Sequence, residues 1–402
     1  MKRSGYLLLG LFLLAGVIYT LVHTSKLRVN DEIDYLSLSH NLLHGPGYSL
    51  DGTTLTAFRP PGYPFFLAAL QVFGAGVKTI HLVQVGLLGG IILLLTRFGS
   101  RESRFPGPLI AVVLTALYPV QFYLCGTLYP QVFGTFFFLL ALALLLRMPR
   151  TWPVLVGSGL SFGLLILAIP TFGLTLVILL VAARVLRLVS WRDTLLVFVA
   201  ASMLIGVWTA RNALLFHRFI PLASNSGVNL MIGNCPEARA HLGGGSLALT
   251  HYFEESERLK MNEFEADRYF RDVALDWISK NPGQALELYG EKVLNYFNIW
   301  NQYAPGSAVE ISPWKEVVMA ISYILLLALL AWRLTEARRY PLASWEKLFL
   351  VVYVLSAFTM AIFLTRIRHR VPYDFLLIAI VATHVGRRLQ PWVEDSKQSA
   401  LR

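Results

Sequence analysis

Residues 61–73 read PGYPFFLAALQVF, and whether this stretch crosses a membrane decides the orientation of everything after it. It is almost wholly apolar, yet its roughly thirteen residues fall short of the ~20 that a spanning helix needs. Upstream, residues 6–22 are apolar and follow Lys2 and Arg3, which places the N-terminus in the cytosol. Ile18, Tyr19, Thr20 and Leu21 stand where a cleavable signal would carry small residues, so the segment reads as an uncleaved anchor. The chain therefore reaches residue 61 on the outer side. If 61–73 crossed, three basic groups would be stranded outside: Arg97, Arg101 and Arg104; Arg147 and Arg150; Arg184, Arg187 and Arg192. Cytosolic loops carry the excess of Lys and Arg. Residues 61–73 are therefore expected to form an interfacial helix on the outer surface.

With that choice the apolar runs alternate consistently as spans at 6–22, 78–96, 107–124, 130–146, 153–169, 170–186, 194–209, 315–332, 346–364 and 371–386. The expected fold is all-α: a polytopic membrane protein of about ten transmembrane helices with outward-facing juxtamembrane helices. Composition agrees. The chain has 402 residues, of which 55% are hydrophobic and 15% charged, against about 25% charged in a soluble domain. The net charge of +11 is spread over short loops between apolar runs, which leaves no compact basic face for nucleic acid. Cys125 and Cys235 exclude a disulfide-built fold. Two free thiols are expected rather than a bridge, since spacing alone does not establish disulfide geometry.

Three hydrophilic stretches face outward: 24–64, 211–314 and 365–370. They divide the chain into a membrane module (1–210) containing the loop 24–64, an outer and partly helical region (211–314), and the last spans with a cytosolic tail (315–402). In the outer region Phe270, Val273, Ala274, Trp277 and Ile278 share a helical face, Asn281-Pro282-Gly283 breaks the run, and Leu286, Tyr289, Val293, Tyr296 and Trp300 resume it. That pattern predicts an amphipathic helical hairpin. Asn225, Gly227, Asn229, Gly233 and Asn234 read as turns.

Candidate chemistry gathers at the outer surface. Ile33, Leu36 and Leu43 fall near helical spacing, which places Asp31 and Glu32 at a helix N-terminus, a position that favours ionised carboxylates. A carboxylate held there suits a general base, and Tyr35, one turn on, is placed to orient it. Arg59 is stiffened by Pro60-Pro61 and suits a phosphate oxygen. Thr365-Arg366-Ile367-Arg368-His369-Arg370 puts three arginines in a short outward loop, against the charge rule, as an anion site would. Arg211 ends the span 194–209 at the same surface. Each residue also has a plainer use: solvation of a loop by the acids, snorkelling by the arginines. His23, His40, His44 and His81 form no ligand set, and HExxH, Walker and GxSxG motifs are absent. No cofactor is expected, and a divalent metal is left open.

Together these residues resemble a known pattern. Asp31-Glu32-x-x-Tyr35, Gly45-x-Gly47-Tyr48-Ser49 and Arg59-Pro60-Pro61-Gly62-Tyr63-Pro64 resemble the first extracytoplasmic loop of the C superfamily of glycosyltransferases (the GT-C fold). The likeness is to the bacterial branch of protein O-mannosyltransferases and lipid A aminoarabinose transferase. Trp208-Thr209-Ala210-Arg211-Asn212, the run from Gly227 to Asn234 with Pro236-Glu237-Ala238, and Arg368-His369-Arg370-Val371-Pro372 follow in the same order as that branch's later landmarks. The resemblance implies an inverting transferase of the bacterial cytoplasmic membrane, acting on its periplasmic side in cell-envelope glycan biosynthesis. Its donor would be a polyprenyl-phosphate sugar, its acceptor a hydroxyl of a lipid, glycan or protein, and membrane lipids its surroundings. Asp31 would be the general base, Glu32 its neighbour, and Arg59 the contact to the lipid phosphate, with Arg211, Arg368 and Arg370 as further cations. Many relatives carry an acid near the outer end of the fourth span, where this chain has Leu128-Tyr129-Pro130-Gln131. Two rival readings are a lipid-linked-sugar flippase and a non-catalytic membrane subunit. The spans carry no charge near their middles, which disfavours a transporter, whereas the Gln131 departure keeps the subunit reading in view.

Overall fold

The computed structural model describes residues 3–23, 27, 30–99, 106–241, 246–300 and 313–400. Lys2, Arg101 and Arg104 lie outside the described residues. The described residues form seventeen α-helices and no strand beyond an isolated bridge between Ser49 and Leu55. The first six are α1 (Arg3–His23), α2 (Asn30–His44), α3 (Gly62–Val72), α4 (Val77–Gly99), α5 (Gly107–Ala116) and α6 (Val120–Cys125). Next come α7 (Gln131–Leu145), α8 (Trp152–Ala168), α9 (Phe172–Val185), α10 (Trp191–Phe216), α11 (Ser226–Gly233) and α12 (Thr250–Arg258). The last are α13 (Glu263–Lys280), α14 (Pro282–Tyr296), α15 (Pro313–Thr335), α16 (Ser344–Ala361) and α17 (Ile367–Ala400).

Among the described residues five segments are long and apolar enough to cross a bilayer: Ser4–Val22, Val77–Phe98, Trp191–Phe216, Trp314–Arg338 and Ser344–Ala361. The chain is a multi-pass membrane protein. The remaining apolar helices are shorter than the ten near-equal spans expected, and prolines set their limits. Pro119 caps α6, so the run 107–124 is two helices meeting at Leu117–Pro119 rather than one. Pro130 caps α7. Ile169 is held in extended backbone before Pro170, which separates α8 from α9. The 11 residues of α3 are too few to span, in keeping with the reading of 61–73. This helix packs on α2 and α8, and a Cβ on Gly62 would stand 2.7 Å from the Ala168 nitrogen, so only glycine permits the approach.

The expected hairpin is present as α13 and α14, parted at Asn281, which precedes the proline of the α14 first turn. Asn262 caps α13 by accepting the Phe264 and Glu265 N–H groups, and Glu265 reaches back to complete the box. Three sequence expectations are corrected. The Asn- and Gly-rich stretch is helix α11 rather than turns: its glycines serve close packing, and a Cβ on Gly233 would lie 1.7 Å from the Phe363 carbonyl oxygen. Helix α10 runs to Phe216, so Arg211 lies inside it and not beyond a span ending at 209. The basic loop 365–370 is mostly the first turn of α17, which begins at Ile367.

Candidate functional site

The first turn of α2 carries Asp31 and Glu32. Adjacent helix positions point to different sides, and the two acids diverge. Asp31 meets Arg59, whose Nη2 lies 2.6 Å from its Oδ1. The same guanidinium donates to Asp34 Oδ2 from Nε at 3.0 Å and from Nη2 at 2.6 Å. The other Asp31 oxygen accepts the Tyr129 hydroxyl at 2.9 Å, and Arg368 Nη2 stands 3.7 Å from it. The Arg368 guanidinium lies over the Tyr129 ring, 4.7 Å from its centre. One carboxylate thus gathers a guanidinium from the loop after α2, a phenol from the α6–α7 connection and a second guanidinium from α17. The Asp31, Arg59 and Arg368 side chains remain 27%, 17% and 37% exposed, so the cluster is open to a ligand.

Local structure aims these groups. The loop from 45 to 61 is tightly bonded: Tyr48 donates its hydroxyl to the Arg59 and Pro60 carbonyls at 3.0 and 3.1 Å. Asp51 Oδ1 accepts the Thr53 and Thr54 N–H groups, both at 2.8 Å. Glu263, in the first turn of α13, accepts the Ala57 N–H at 3.0 Å and the hydroxyls of Thr56 and Ser224. The Arg59 backbone is therefore fixed from both sides.

The electrostatics follow from this geometry. Burial alone would raise the Asp31 carboxyl, but Arg368, Arg59 and the Tyr129 hydroxyl outweigh it and hold the group below its ordinary value. Burial would lower Arg59, yet Asp31, Tyr35 and Asp34 lift it above the usual range. Burial pushes Tyr35 up to about 12 and also raises Tyr129.

Two solved structures, both of ArnT, are similar to the chain at TM-scores below 0.5. One solved structure, of ArnT from Cupriavidus metallidurans bound to undecaprenyl phosphate, shares 15% identity at a TM-score of 0.41, over 96% of this chain and 79% of that one. The apo structure of the same protein shares 14% identity at a TM-score of 0.42, over 95% and 78% of the two chains. No family model matches the chain, and no curated protein matches it.

Among the residues singled out from sequence, Asp31, Arg59 and Arg368 are brought together. Tyr35 lies beneath Arg59, 5.6 Å from guanidinium to ring centre, and meets Tyr63 edge-on, so it supports the arginine rather than orienting an acid. Glu32 is not brought to the cluster: it is buried, and its Oε1 accepts the Leu128 N–H at 2.8 Å, tying the α6–α7 connection to α2. Arg211 supports the loop from behind, donating to the Thr56 carbonyl at 2.8 Å and stacking on Trp208 at 4.6 Å. Arg370 is buried in the bundle, donating to Asp374 at 3.1 Å and to the Tyr296 and Asn298 carbonyls at 2.8 and 2.7 Å. Two members of the cluster were not assigned a role from sequence, Asp34 and Tyr129. Asp34 lies three positions from Asp31 on one helix, a spacing that could have found it; Tyr129 carries no such signal. Both cysteines are free and buried. Among the described residues no group of three or more His, Cys, Asp and Glu is placed to hold a metal ion.

Proposed function

We propose that the chain is a membrane glycosyltransferase that moves a sugar from a polyprenyl-phosphate carrier to an acceptor hydroxyl, at the outer face of the cytoplasmic membrane. The observation that carries this reading is the convergence of Arg59 and Arg368 on the Asp31 carboxylate, from elements at opposite ends of the chain. The motif resemblance set out above supports it.

In this reading Arg59 and Arg368 take the donor phosphate, since guanidinium groups pair with phosphate oxygens through two parallel bonds. Each guanidinium that turns to phosphate withdraws part of the charge that depresses Asp31. Donor binding therefore makes Asp31 a stronger base at the moment a substrate is present. Asp31 then removes the acceptor hydroxyl proton as the oxygen attacks the anomeric carbon. The bond from that carbon to the phosphate oxygen breaks, its electron pair leaves on the polyprenyl phosphate, and the anomeric centre inverts. The two arginines stabilise the charge that develops on the leaving group, the kind of stabilisation that typically dominates such catalysis.

The test is transfer of a radiolabelled sugar from undecaprenyl phosphate in nanodiscs, with the wild-type chain and Asp31→Asn compared. The variant should lose 10²-fold or more, the order of a lost general base, while inserting and folding normally. Wild-type rates in Asp31→Asn would sink the base assignment. Movement of labelled lipid between leaflets without a new glycosidic bond would favour a flippase instead.

A further inference from the structure

A second recess opens on α2 away from the arginines. It has a volume of about 540 Å³ and lies between α2, the loop that follows it, and the α3–α4 turn. Its polar lining is Ser37, His40, Asn41, Asp51 and Gln71, and it contains no Lys or Arg. Among the described residues no hydrogen bond engages the side chains of Ser37, His40 or Gln71. The Asn41 amide nitrogen is spent on the Ser49 and Leu50 carbonyls, at 2.9 and 3.4 Å, which leaves its oxygen as an acceptor. The protein-side bonds of the Asp51 carboxylate all fall on Oδ1, so Oδ2 faces outward as a second acceptor. One carboxylate and several uncharged donors and acceptors at close quarters, with an aliphatic wall from Leu36 and Val77 and no cation, match vicinal hydroxyls on a sugar ring rather than an anion.

Position gives the recess a purpose. Asp34, Ser37 and Asn41 recur at i, i+3 and i+7, one stripe of α2, so the recess continues along the helix from the end that binds Arg59. Its rim includes Val77, which opens the spanning segment α4, and it adjoins Val72 and Phe73, 65% and 88% exposed. The recess therefore lies at the lipid–water boundary. We infer that it is the acceptor subsite: it holds a neutral saccharide so that a hydroxyl at its inner end reaches Asp31. This inference rests on the transferase reading and names the acceptor class that reading leaves out. A saccharide attached to a lipid and a free saccharide offer the same chemistry to these side chains.

The experiment uses the full chain in nanodiscs and saturation-transfer NMR. The probes are the methyl glycosides of glucose, galactose, mannose and N-acetylglucosamine, then lipids carrying the same head sugars. Binding of undecaprenyl phosphate is measured in parallel. At least one sugar should receive transfer, and Gln71→Ala and His40→Ala should each weaken it about tenfold, as expected when a hydrogen-bonding group is lost. Undecaprenyl phosphate affinity should not change. Among the described residues neither side chain makes a hydrogen bond, so these variants are expected to fold as the wild type does, and Ser37→Trp gives an independent block. Transfer to the lipid-borne sugar alone assigns a glycolipid acceptor; equal transfer to both assigns a free or polymeric glycan. No transfer to any sugar, or transfer indifferent to all three variants, overturns the subsite. Loss of undecaprenyl phosphate binding by the wild type, with sugar binding intact, overturns the transferase reading and leaves the subsite standing.

Discussion

At the scale of single residues, Asp31 is the focus, and its neighbours set the conditions under which it works. Its carboxyl is held below the ordinary value of about 3.9 by Arg368, Arg59 and Tyr129, against the opposing effect of burial. The sign follows. A depressed carboxyl adds stability above its unfolded pKa, and that stability is lost as pH falls through the lower folded pKa. The base form is likewise present at neutral pH and lost only in that acid range. Tyr129→Phe removes one of the three groups that hold the carboxyl down, which makes Asp31 a stronger base, so the acid limb of the rate profile should move upward and the rate at neutral pH should hold or rise. A pH profile of transfer by the two proteins measures both; an unmoved limb would show that the 2.9 Å bond does not govern Asp31. This pairing marks what the chain's letters conceal. Asp31, at the start of α2, and Arg59, in the loop after that helix, stand in one outer stretch whose signals, acids at a helix start and a stiffened arginine, could be read directly. The charge-rule exception at 365–370 and the motif resemblance pointed to Arg368, but neither showed its contact with Asp31, because contact across the chain leaves no local trace. Tyr129 left none, being one aromatic among many. The pair Arg370 and Asp374 did leave one: opposite charges four apart on a helix satisfy each other, and that accounts for an arginine here without a ligand.

At the scale of elements, the loop that aims Arg59 depends on α13. Glu263 is the shared acceptor for Thr56, Ala57 and Ser224, so the outer region holds the loop that follows α2. Replacing Glu263 with alanine leaves the N–H of buried Ala57 without its partner, a cost of about 1–3 kcal/mol. Hydrogen exchange in residues 53–59 should accelerate by tenfold or more, while far-UV circular dichroism stays unchanged. The effect on transfer should fall on the apparent KM for the donor. Exchange as slow as in the wild type would mean that Tyr48 and Asp51 suffice to hold the loop. Helices α2, α13 and α14 were legible because apolar spacing and caps are local. Helix α11 was not, because its glycines answer to neighbours distant in sequence. Gly233→Ala tests that account: with the Phe363 carbonyl where a Cβ would go, stability should fall by about 1–3 kcal/mol, whereas a turn glycine with positive φ is not what the site contains. Thermal unfolding in detergent reads the difference.

Across the whole molecule, the first turn of α17 is where the outer site and the bundle core join. Arg368 faces Asp31, and two residues on Arg370 points inward, where Asp374, Tyr118 and Tyr353 complete a buried network. Its guanidinium also stacks on Tyr323 at 3.5 Å and donates to the last carbonyl of α14, that of Tyr296. The network thus joins α14, α15, α16 and α17 with the α5–α6 break, and it fixes the rotation of the turn that presents Arg368. Removing one member of a buried ion pair costs about 3–5 kcal/mol, because the partner keeps its charge without compensation. Asp374→Asn should therefore lower the thermal midpoint sharply and, on the proposed transferase reading, weaken undecaprenyl phosphate binding as Arg368 loses its bearing. Replacing both, Arg370→Met with Asp374→Leu, takes away the uncompensated charge, and such apolar swaps are often neutral or stabilising. The double variant should recover the midpoint but not the lipid affinity, since a methionine no longer ties α17 to the Tyr296 and Asn298 carbonyls. Thermal unfolding and lipid titration on the three proteins separate the two effects. If the double variant regains both, the core network merely stabilises the bundle, and the aim of Arg368 is set by its own contacts with Tyr129 and Asp31.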